Sequence, residues 1–378
     1  MQSSICRSAR DACPLILIPQ FPQFRPSMSY GTVKLNDGTE VPALAFGAGS
    51  VWKFHDVAPY VLQALHAGFR HLDNAQYYQT EQYVGQAIAQ SNISREDIFI
   101  TSKYSGVGVS VEDAFAQSLS QLGVKALNLY LIHFPGSAGG DISGVWKKFE
   151  DLRASGGTKS IGVSNFGVAD LKTLLSNAEV TPAVNQIQLN PYNYAKQLPI
   201  IELCGEKGIA IEAYSSLAPI TQFPGGPADP VLERAAKRIG GTPSQVIFQW
   251  LRQKGIVIVT TSGKLEHLQE YLEVPLLPAL EDDEIADLEE AGREGGDAWA
   301  AIEAAREAST TSQRPSPSPE PRELNPRDSK KFFVQATADL EAGPPAEPSS
   351  SRTGRTRLLC IVALALSLLT YNVLICRR

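Results

Sequence analysis

The sequence is poor in cysteine and carries no excess of positive charge. Its five cysteines (Cys6, Cys13, Cys204, Cys360 and Cys376) are an odd, scattered set without a CxxC pair. That pattern excludes a disulfide framework and a zinc knuckle, and it favours a reducing compartment. A formal net charge of −6 argues against a basic nucleic-acid-binding chain. We therefore expect neither a nucleic-acid partner nor a bound metal.

Two signals that many other proteins carry are also missing. No GxGxxG motif follows a predicted strand, and Gly47-Ala48-Gly49 is too short for that fingerprint, so a Rossmann dinucleotide site is not expected. The apolar run at 14–18 has five residues, whereas a secretory signal needs about 7–15. We expect residues 1–29 to be a disordered extension, or the result of a start codon assigned too early.

The composition changes after residue 300. Residues 301–356 contain eight of the 25 prolines together with many serines. Such a segment has little apolar surface to bury, so we predict a disordered linker there. At its start, residues 298–308 have a helical pattern.

The last residues, 357–378, contain a long apolar run. Residues 358–376 carry no charge over 19 positions. At about 1.5 Å per residue, a helix of that length approaches the ~30 Å thickness of a bilayer core. We predict a transmembrane helix that anchors the chain, with the preceding domain in the cytosol. The alternatives are a buried core helix, or a gene-model fusion that appended residues 309–378 to a soluble protein.

Residues 30–300 alternate β-rich runs with amphipathic helical patterns. Eight such units in about 250 residues predict an α/β fold, a closed (β/α)8 TIM barrel. A β-hairpin, with Asn36-Asp37-Gly38 at its turn, precedes the barrel and is expected to cover its floor. The predicted strands are Val41–Gly47, Phe69–Ala75, Ile98–Tyr104, Leu127–Phe134, Lys159–Ser164, Ala183–Leu189, Ile209–Tyr214 and Ile256–Thr260. The predicted helices include Val111–Leu122, Val145–Ala154, Val168–Leu175, Leu198–Glu206 and Pro243–Gln253.

Polar side chains stand at the carboxyl ends of successive predicted strands. Asp73, Lys103, His133 and Ser164 follow one another at intervals of 30, 30 and 31 residues, and each interval is one β/α unit. In this fold the active site lies at those strand ends, so we expect the four side chains to converge on one pocket.

The residue types at these positions are suited to protonating a carbonyl oxygen. Tyr78 has a phenol, whose pKa of about 10 a neighbouring ammonium would lower. Lys103 can supply that ammonium, and Asp73 would keep it charged. A neutral His133 can donate a hydrogen bond that orients the carbonyl. No side chain provides a hydride, so a nicotinamide is implied. Taken alone, Asp73 and Lys103 would be interpreted by default as a structural ion pair.

With these residues in place, the sequence is similar to the aldo-keto reductase family over residues 30–296. The motifs that carry the resemblance are LNDGTEVPAL at 35–44, GFRHLDNAQYY at 68–78, IHFP at 132–135, GVSNF at 162–166, NQ at 185–186 and AYS at 213–215. The resemblance implies that Tyr78 is the proton donor, Lys103 the modulator of its pKa, Asp73 the partner of that lysine and His133 the group that orients the substrate.

The resemblance also implies a cofactor site on the barrel rim. Ser164, Asn165 and Gln186 would hold the carboxamide of a nicotinamide, and Tyr214 would stack on its ring. The other expected cofactor residues are Ser216, Leu217, Thr261, Ser262, Lys264, His267 and Glu270. Three aromatic residues, Trp52, Tyr104 and Phe134, are expected to line the substrate pocket.

Two positions depart from the family pattern and affect the choice of cofactor. Thr261 and His267 stand where the family commonly has a lysine and an arginine that bind the 2′-phosphate of NADPH. The resemblance therefore implies an NADPH-dependent reductase of aldehydes or ketones, and NADH stays possible. The alternative function is a reductase-like barrel that acts as a redox-sensing or binding subunit of a membrane partner. His71 is interpreted as a core or supporting histidine.

Overall fold

The computed structural model describes residues 30–106 and 108–311 of the chain. The predicted extension at 1–29, the linker beyond residue 311 and the apolar tail at 357–378 lie outside the described residues. The part of the chain from 30 to 311, apart from residue 107, has no helix that is both long and apolar enough to cross a membrane.

The chain begins with the predicted hairpin. Strands β1 (Thr32–Lys34) and β2 (Glu40–Pro42) pair antiparallel. Leu35 and Val41 of this hairpin pack with Leu129, Leu131 and Val257 in the lower interior of the barrel. The hairpin therefore closes the floor, and the prediction is confirmed.

Eight parallel strands form a closed barrel, as predicted. Their order around the barrel is β10-β3-β4-β5-β6-β7-β8-β9, so the first and last strands pair with each other. The strands are β3 (Leu44–Gly47), β4 (His71–Asp73), β5 (Phe99–Tyr104), β6 (Leu127–Ile132), β7 (Thr158–Ser164), β8 (Val184–Gln188), β9 (Ala210–Tyr214) and β10 (Val257–Thr260).

Helices surround the barrel and bury the outward-facing strand residues. The main core lies between the two layers and includes Phe46, Tyr130, Phe149 and Trp250, all fully buried. The helices are α1 (Ala58–Ala67), α2 (Glu81–Gln90), α3 (Val111–Leu122), α4 (Ile142–Ala154), α5 (Val168–Leu175), α6 (Pro191–Glu206), α7 (Ala218–Gln222), α8 (Ala228–Ile239), α9 (Pro243–Gln253), α10 (Leu265–Leu272) and α11 (Asp282–Thr311).

Helix α6 begins seven residues earlier than the sequence predicts. The Asn190 side chain accepts a hydrogen bond from the Tyr192 amide, and Asn193 Oδ1 accepts one from the Asn190 amide. This reciprocal cap, with Pro191 in the first turn, starts the helix at Pro191. The predicted start at Leu198 was wrong because the cap at Asn190 begins the helix earlier, and Pro199 lies inside it.

Helix α11 extends past residue 300, where the linker was predicted to begin. It runs to Thr311 and includes residues 298–308, whose helical pattern is thereby confirmed. Gly292 and Gly295 let it approach α6 closely, because a Cβ at either position would collide with Pro191 or Tyr192. Trp299 is buried in this contact region. Residues 301–311 are therefore helical, and the prediction of disorder was wrong for these residues.

Candidate active site

Lys103 lies in the centre of the barrel interior, at the carboxyl end of β5. Side chains alternate between the two faces of a strand, so Lys103 points inward while its neighbour Tyr104 points towards the helices. The Lys103 Nζ donates to Asp73 Oδ1 at 2.6 Å and to the Asn74 carbonyl at 2.8 Å. Both charged side chains are buried. An ammonium held in this way stays protonated and presents a fixed positive charge.

Tyr78 lies beside that ammonium, at the end of a single 3-10 turn, Gln76–Tyr78, that follows β4. The Lys103 Nζ is 5.1 Å from the centre of the Tyr78 ring. Gly49 allows the ring to approach the β3 loop, because a Cβ there would lie 2.7 Å from a ring carbon. The predicted convergence of positions 73, 78 and 103 is thus present in the structure.

The balance of effects on Tyr78 differs from the sequence argument. Burial, together with the charge of Asp73, raises the pKa of Tyr78 above its usual value, and the charge and hydrogen bond of Lys103 offset this rise only in part. The predicted lowering of this pKa by the ammonium is therefore outweighed, chiefly by the loss of hydration on burial. Tyr78 is therefore a protonated phenol, and Lys103 opposes the effect of burial on it.

His133 completes this group from the end of β6. Its ring meets the Tyr78 ring edge to face, with 5.4 Å between their centres. Burial, with smaller contributions from Lys103 and Lys53, lowers the pKa of His133 to about 2. The imidazole is therefore neutral. Its Nδ1 lies 3.2 Å from Ser105 Oγ, which also accepts a hydrogen bond from the Tyr77 amide.

A buried polar network continues across the barrel from Asp73. Gln186 Nε2 on β8 donates to Asp73 Oδ2 and to Glu212 Oε2, both at 2.8 Å. Sequence reasoning placed Gln186 at the site but missed Glu212. The sequence does contain an indication of it, because Glu212 is the one acidic residue inside the apolar strand that ends at Tyr214.

The ends of β7 and β9 are joined by side-chain hydrogen bonds. Tyr214 Oη donates to Asn165 Oδ1 at 2.7 Å, and Asn165 Nδ2 donates to the His133 carbonyl at 3.0 Å. Ser164 Oγ donates to the Gln186 carbonyl at 2.8 Å. Asn165 has φ +62°, which asparagine tolerates better than most residues. The four residues predicted to surround a nicotinamide are therefore brought together.

Two chain segments beyond β9 and β10 form the rest of the predicted cofactor site. Ser216 is buried, and its hydroxyl has no hydrogen-bond partner among the described residues. Leu217 directly precedes α7, and residues 261–264 directly precede α10. In (β/α)8 barrels the loops after strands seven and eight commonly bind phosphate groups. The unpartnered Ser216 hydroxyl and the start of α10, which no side chain caps, fit the phosphates of a dinucleotide.

The remaining residues predicted at this segment have different surroundings. Ser262 Oγ lies 3.3 Å from His267 Nδ1 and accepts a hydrogen bond from the Lys264 amide. Both His267 and Lys264 are exposed. Glu270 instead accepts a hydrogen bond from Thr242 Oγ1, at the start of α9. Its carboxylate thus ties two helices together in this structure.

Of the three aromatic residues predicted at the substrate pocket, only Phe134 contacts the central group. Its ring stacks on His133 with 4.2 Å between centres, and 43% of its surface is exposed. Tyr104 packs on Phe149 in the layer between barrel and helices. Trp52 stacks on Tyr60 and donates to Thr261 Oγ1 at 3.0 Å. The structure therefore places Tyr104 in the core and Trp52 on the predicted cofactor segment.

Three residues at the pocket mouth were missed by sequence reasoning. Phe54 and Tyr77 are exposed aromatic side chains whose rings meet edge to face. The Lys53 Nζ lies 5.5 Å from the centre of the Tyr77 ring and 5.3 Å from that of Tyr78. Since Tyr77 also lies 6.2 Å from His133, these side chains and Phe134 form a rim around the catalytic candidates.

His71 lies below the site and supports it, in agreement with its interpretation. Its Nε2 is 2.9 Å from Thr101 Oγ1, and its Nδ1 is 3.2 Å from the Pro42 carbonyl. Burial lowers the pKa of His71 to about 4, so this ring is neutral. Within residues 30–106 and 108–311, no group of three or more histidine, cysteine, aspartate or glutamate side chains could hold a metal ion.

This geometry is that of a barrel enzyme with a buried lysine, a phenol and a neutral imidazole at the carboxyl ends of its strands. Residues 27–293 match the family model described as the aldo/keto reductase family. The chain belongs to this family. The predicted enzyme class, an NAD(P)-dependent oxidoreductase of the aldo-keto reductase family, is confirmed.

Individual relatives agree with this assignment. The chain is 34% identical to an NAD/NADP-dependent indole-3-acetaldehyde reductase of Schizosaccharomyces pombe, over 62% of this chain and 86% of that protein. It is 36% identical to an aldehyde reductase of Saccharomyces cerevisiae, over 68% and 89%. A solved aldo-keto reductase of Bombyx mori in complex with NADP is similar, with a TM-score of 0.62 and 29% identity over 69% of this chain and 92% of that one.

Proposed function

We propose that this protein is an NADPH-dependent carbonyl reductase that converts aldehydes or ketones to alcohols. The observation that carries the proposal is the meeting of Tyr78, Lys103, Asp73 and His133 at one end of the barrel. The names of two relatives, an indole-3-acetaldehyde reductase and an aldehyde reductase, support an aldehyde as one substrate class.

Tyr78 would donate the proton that the carbonyl oxygen acquires. Because burial keeps the phenol protonated, it can act as an acid throughout the neutral pH range. Lys103 stabilises the phenolate that remains after donation, and Asp73 holds Lys103 in place. When bound, a nicotinamide dinucleotide supplies the hydride.

His133 would orient the carbonyl through its Nε2. The Tyr77 amide donates to Ser105 Oγ, which leaves the hydroxyl hydrogen of Ser105 available to donate to His133 Nδ1. A neutral imidazole with Nδ1 as acceptor carries its proton on Nε2. Nε2 then points a hydrogen-bond donor at the substrate oxygen, beside the Tyr78 hydroxyl.

The residues of this chain that would hold the cofactor fall in two groups. Ser164, Asn165, Gln186 and Tyr214 would bind the nicotinamide end. Because both amide hydrogens of Gln186 are taken by carboxyl groups, its carbonyl oxygen is the end left to accept a hydrogen bond from the carboxamide. The phosphate end would be held by Ser216, Leu217, Thr261, Ser262, Lys264 and His267.

The proposal is tested with the full-length protein, NADPH or NADH, and a panel of aldehydes and ketones. We expect the absorbance of the reduced cofactor to fall with at least one aldehyde, and faster with NADPH than with NADH. Tight cofactor binding without turnover would instead favour the redox-sensing subunit. Failure to bind either cofactor would contradict both functions.

We further propose that residues 358–376 anchor the enzyme in a membrane with its barrel in the cytosol. The support is the uncharged run of 19 residues. Carbonate extraction of the native protein tests this proposal. The protein is expected to stay in the membrane pellet, and release into the soluble fraction would contradict the anchor.

A further inference from the structure

Glu212 is an ionisable side chain inside the barrel to which the reaction proposed above assigns no role. It is fully buried on β9. Its Oε2 accepts a hydrogen bond from Gln186 Nε2, and the same nitrogen donates to Asp73 Oδ2. Gln186 therefore bridges two carboxyl groups, one of which forms the ion pair with Lys103.

The number of charges in this network does not balance if both carboxyl groups are ionised. The charged groups that face Glu212 are Asp73 from β4 and Lys103 from β5. Lys103 Nζ bonds directly to Asp73 at 2.6 Å. A second carboxylate would leave one net negative charge in a dry interior, which is costly without a partner. Glu212 lacks the direct bond to Lys103, so it is the carboxyl group that keeps a proton.

The position of that proton follows from the hydrogen bonds. Glu212 Oε2 already accepts from Gln186, while Oε1 has no hydrogen-bond partner among the described residues. A carboxylate oxygen without a donor is less favourable in such a place than a neutral hydroxyl without an acceptor. The proton therefore belongs on Oε1. In agreement, burial and the charge of Asp73 raise the pKa of Glu212 to about 7.

We propose that Glu212 is a positioning residue that controls proton donation by Tyr78 through its own charge. When Glu212 is protonated, Lys103 and Asp73 leave the network neutral, and reduction is fast. When Glu212 is ionised, its negative charge opposes the ammonium that stabilises the Tyr78 phenolate. This inference rests on the proposed function and adds regulation by pH to the same site.

The first test is the pH dependence of kcat/KM for aldehyde reduction by the full-length enzyme. From pH 6 to about 8.5, the kcat/KM of the wild-type enzyme is expected to fall about three- to tenfold, with an inflection near 7. Glu212→Gln keeps an acceptor for Gln186 but cannot ionise, so its profile should stay flat over that range. A Glu212→Gln profile parallel to wild type would overturn the proposal.

Glu150→Gln is the matched control. Glu150 is buried on α4 and accepts hydrogen bonds from the Glu179 and Val180 amides, an arrangement that glutamine can retain. It is not part of the site. The control variant is expected to show the wild-type inflection, and loss of the inflection in this variant would also overturn the proposal.

A second measurement does not depend on turnover. Infrared difference spectra of wild type between about pH 6 and 8 should show loss of one protonated carboxyl band. That change should be absent in Glu212→Gln and present in Glu150→Gln. No change in wild type would overturn the inference even if the enzyme is active. If the carboxyl band is lost as expected but the protein turns over no substrate, that result contradicts the proposed function and not the protonation of Glu212.

Discussion

The Lys103 Nζ and the Asp73 Oδ1 are 2.6 Å apart inside the barrel, and both side chains are buried from solvent. A buried pair of this kind stabilises the fold only while both partners are present. The same pair supplies the positive charge beside Tyr78. Stability and activity therefore depend on these two residues in different ways, and the difference can be measured.

Lys103→Met is expected to lower the free energy of unfolding by about 3–5 kcal/mol, because it leaves the Asp73 carboxylate buried and unpaired. The double variant Lys103→Met with Asp73→Asn removes that charge and should regain most of the lost stability. Both variants should lose the reductase activity, since neither has an ammonium near Tyr78. Urea unfolding and kcat measure the two effects. Recovered activity in the double variant would contradict the role given to Lys103.

Ser105→Ala is expected to lower kcat about tenfold, because His133 Nδ1 loses its hydrogen-bond donor and Nε2 is no longer held as the protonated nitrogen. Ser137→Ala, in the 3-10 turn that follows β6, is the control and should behave as wild type. The tautomer of His133 can be read from the nitrogen chemical shifts of labelled imidazole. Equal populations of Nε2–H tautomer in Ser105→Ala and wild type would contradict this prediction.

His71 should make the protein less stable in acid. Burial lowers its folded pKa from 6.5 to about 4, so the unfolded chain binds a proton that the folded chain does not. The stability is complete above pH 6.5 and falls as the pH drops through about 4, by about 3 kcal/mol from this group. Urea unfolding at several pH values should give a smaller loss in His71→Gln. The control variant His66→Gln, at an exposed position, should lose as much stability in acid as wild type.

His267→Arg is expected to strengthen NADPH binding about tenfold, because a guanidinium can bind a phosphate with two hydrogen bonds and an imidazole cannot. The affinity for NADH, which lacks the 2′-phosphate, should change little. Fluorescence titration with each cofactor measures both constants. Gln269→Arg adds the same charge at another exposed position of α10 and should have a smaller effect. An equal gain in affinity for NADH would show that residue 267 does not contact the 2′-phosphate.

Much of the fold could be predicted because strand and helix patterns alternate regularly over residues 30–300. The convergence of Asp73, Lys103 and His133 could be predicted as well, since parallel strands bring their carboxyl ends to one side of a barrel. Contacts between strands distant in sequence could not. The bridge from Asp73 through Gln186 to Glu212 depends on the register across the barrel, which no local pattern reveals.

Side-chain direction and hydration set the other limits. Tyr104 follows Lys103 and therefore faces the opposite side of β5, although it is adjacent in sequence. Trp52 lies in a loop, where no alternation indicates its direction. The pKa of Tyr78 depends on how much water the fold removes from the phenol. The sequence shows which charged residue is near but does not show the extent of burial.

In the proposed reaction, the hydroxyl of Tyr78 delivers the proton to the carbonyl oxygen. The most direct measurement compares kcat for aldehyde reduction by Tyr78→Phe and Tyr77→Phe, with cofactor affinity measured in both. We expect kcat to fall about 10²- to 10⁴-fold in Tyr78→Phe, with cofactor binding retained. Tyr77→Phe, which removes the hydroxyl of the neighbouring exposed tyrosine, should stay within about threefold of wild type. Near-normal turnover by Tyr78→Phe would contradict the mechanism.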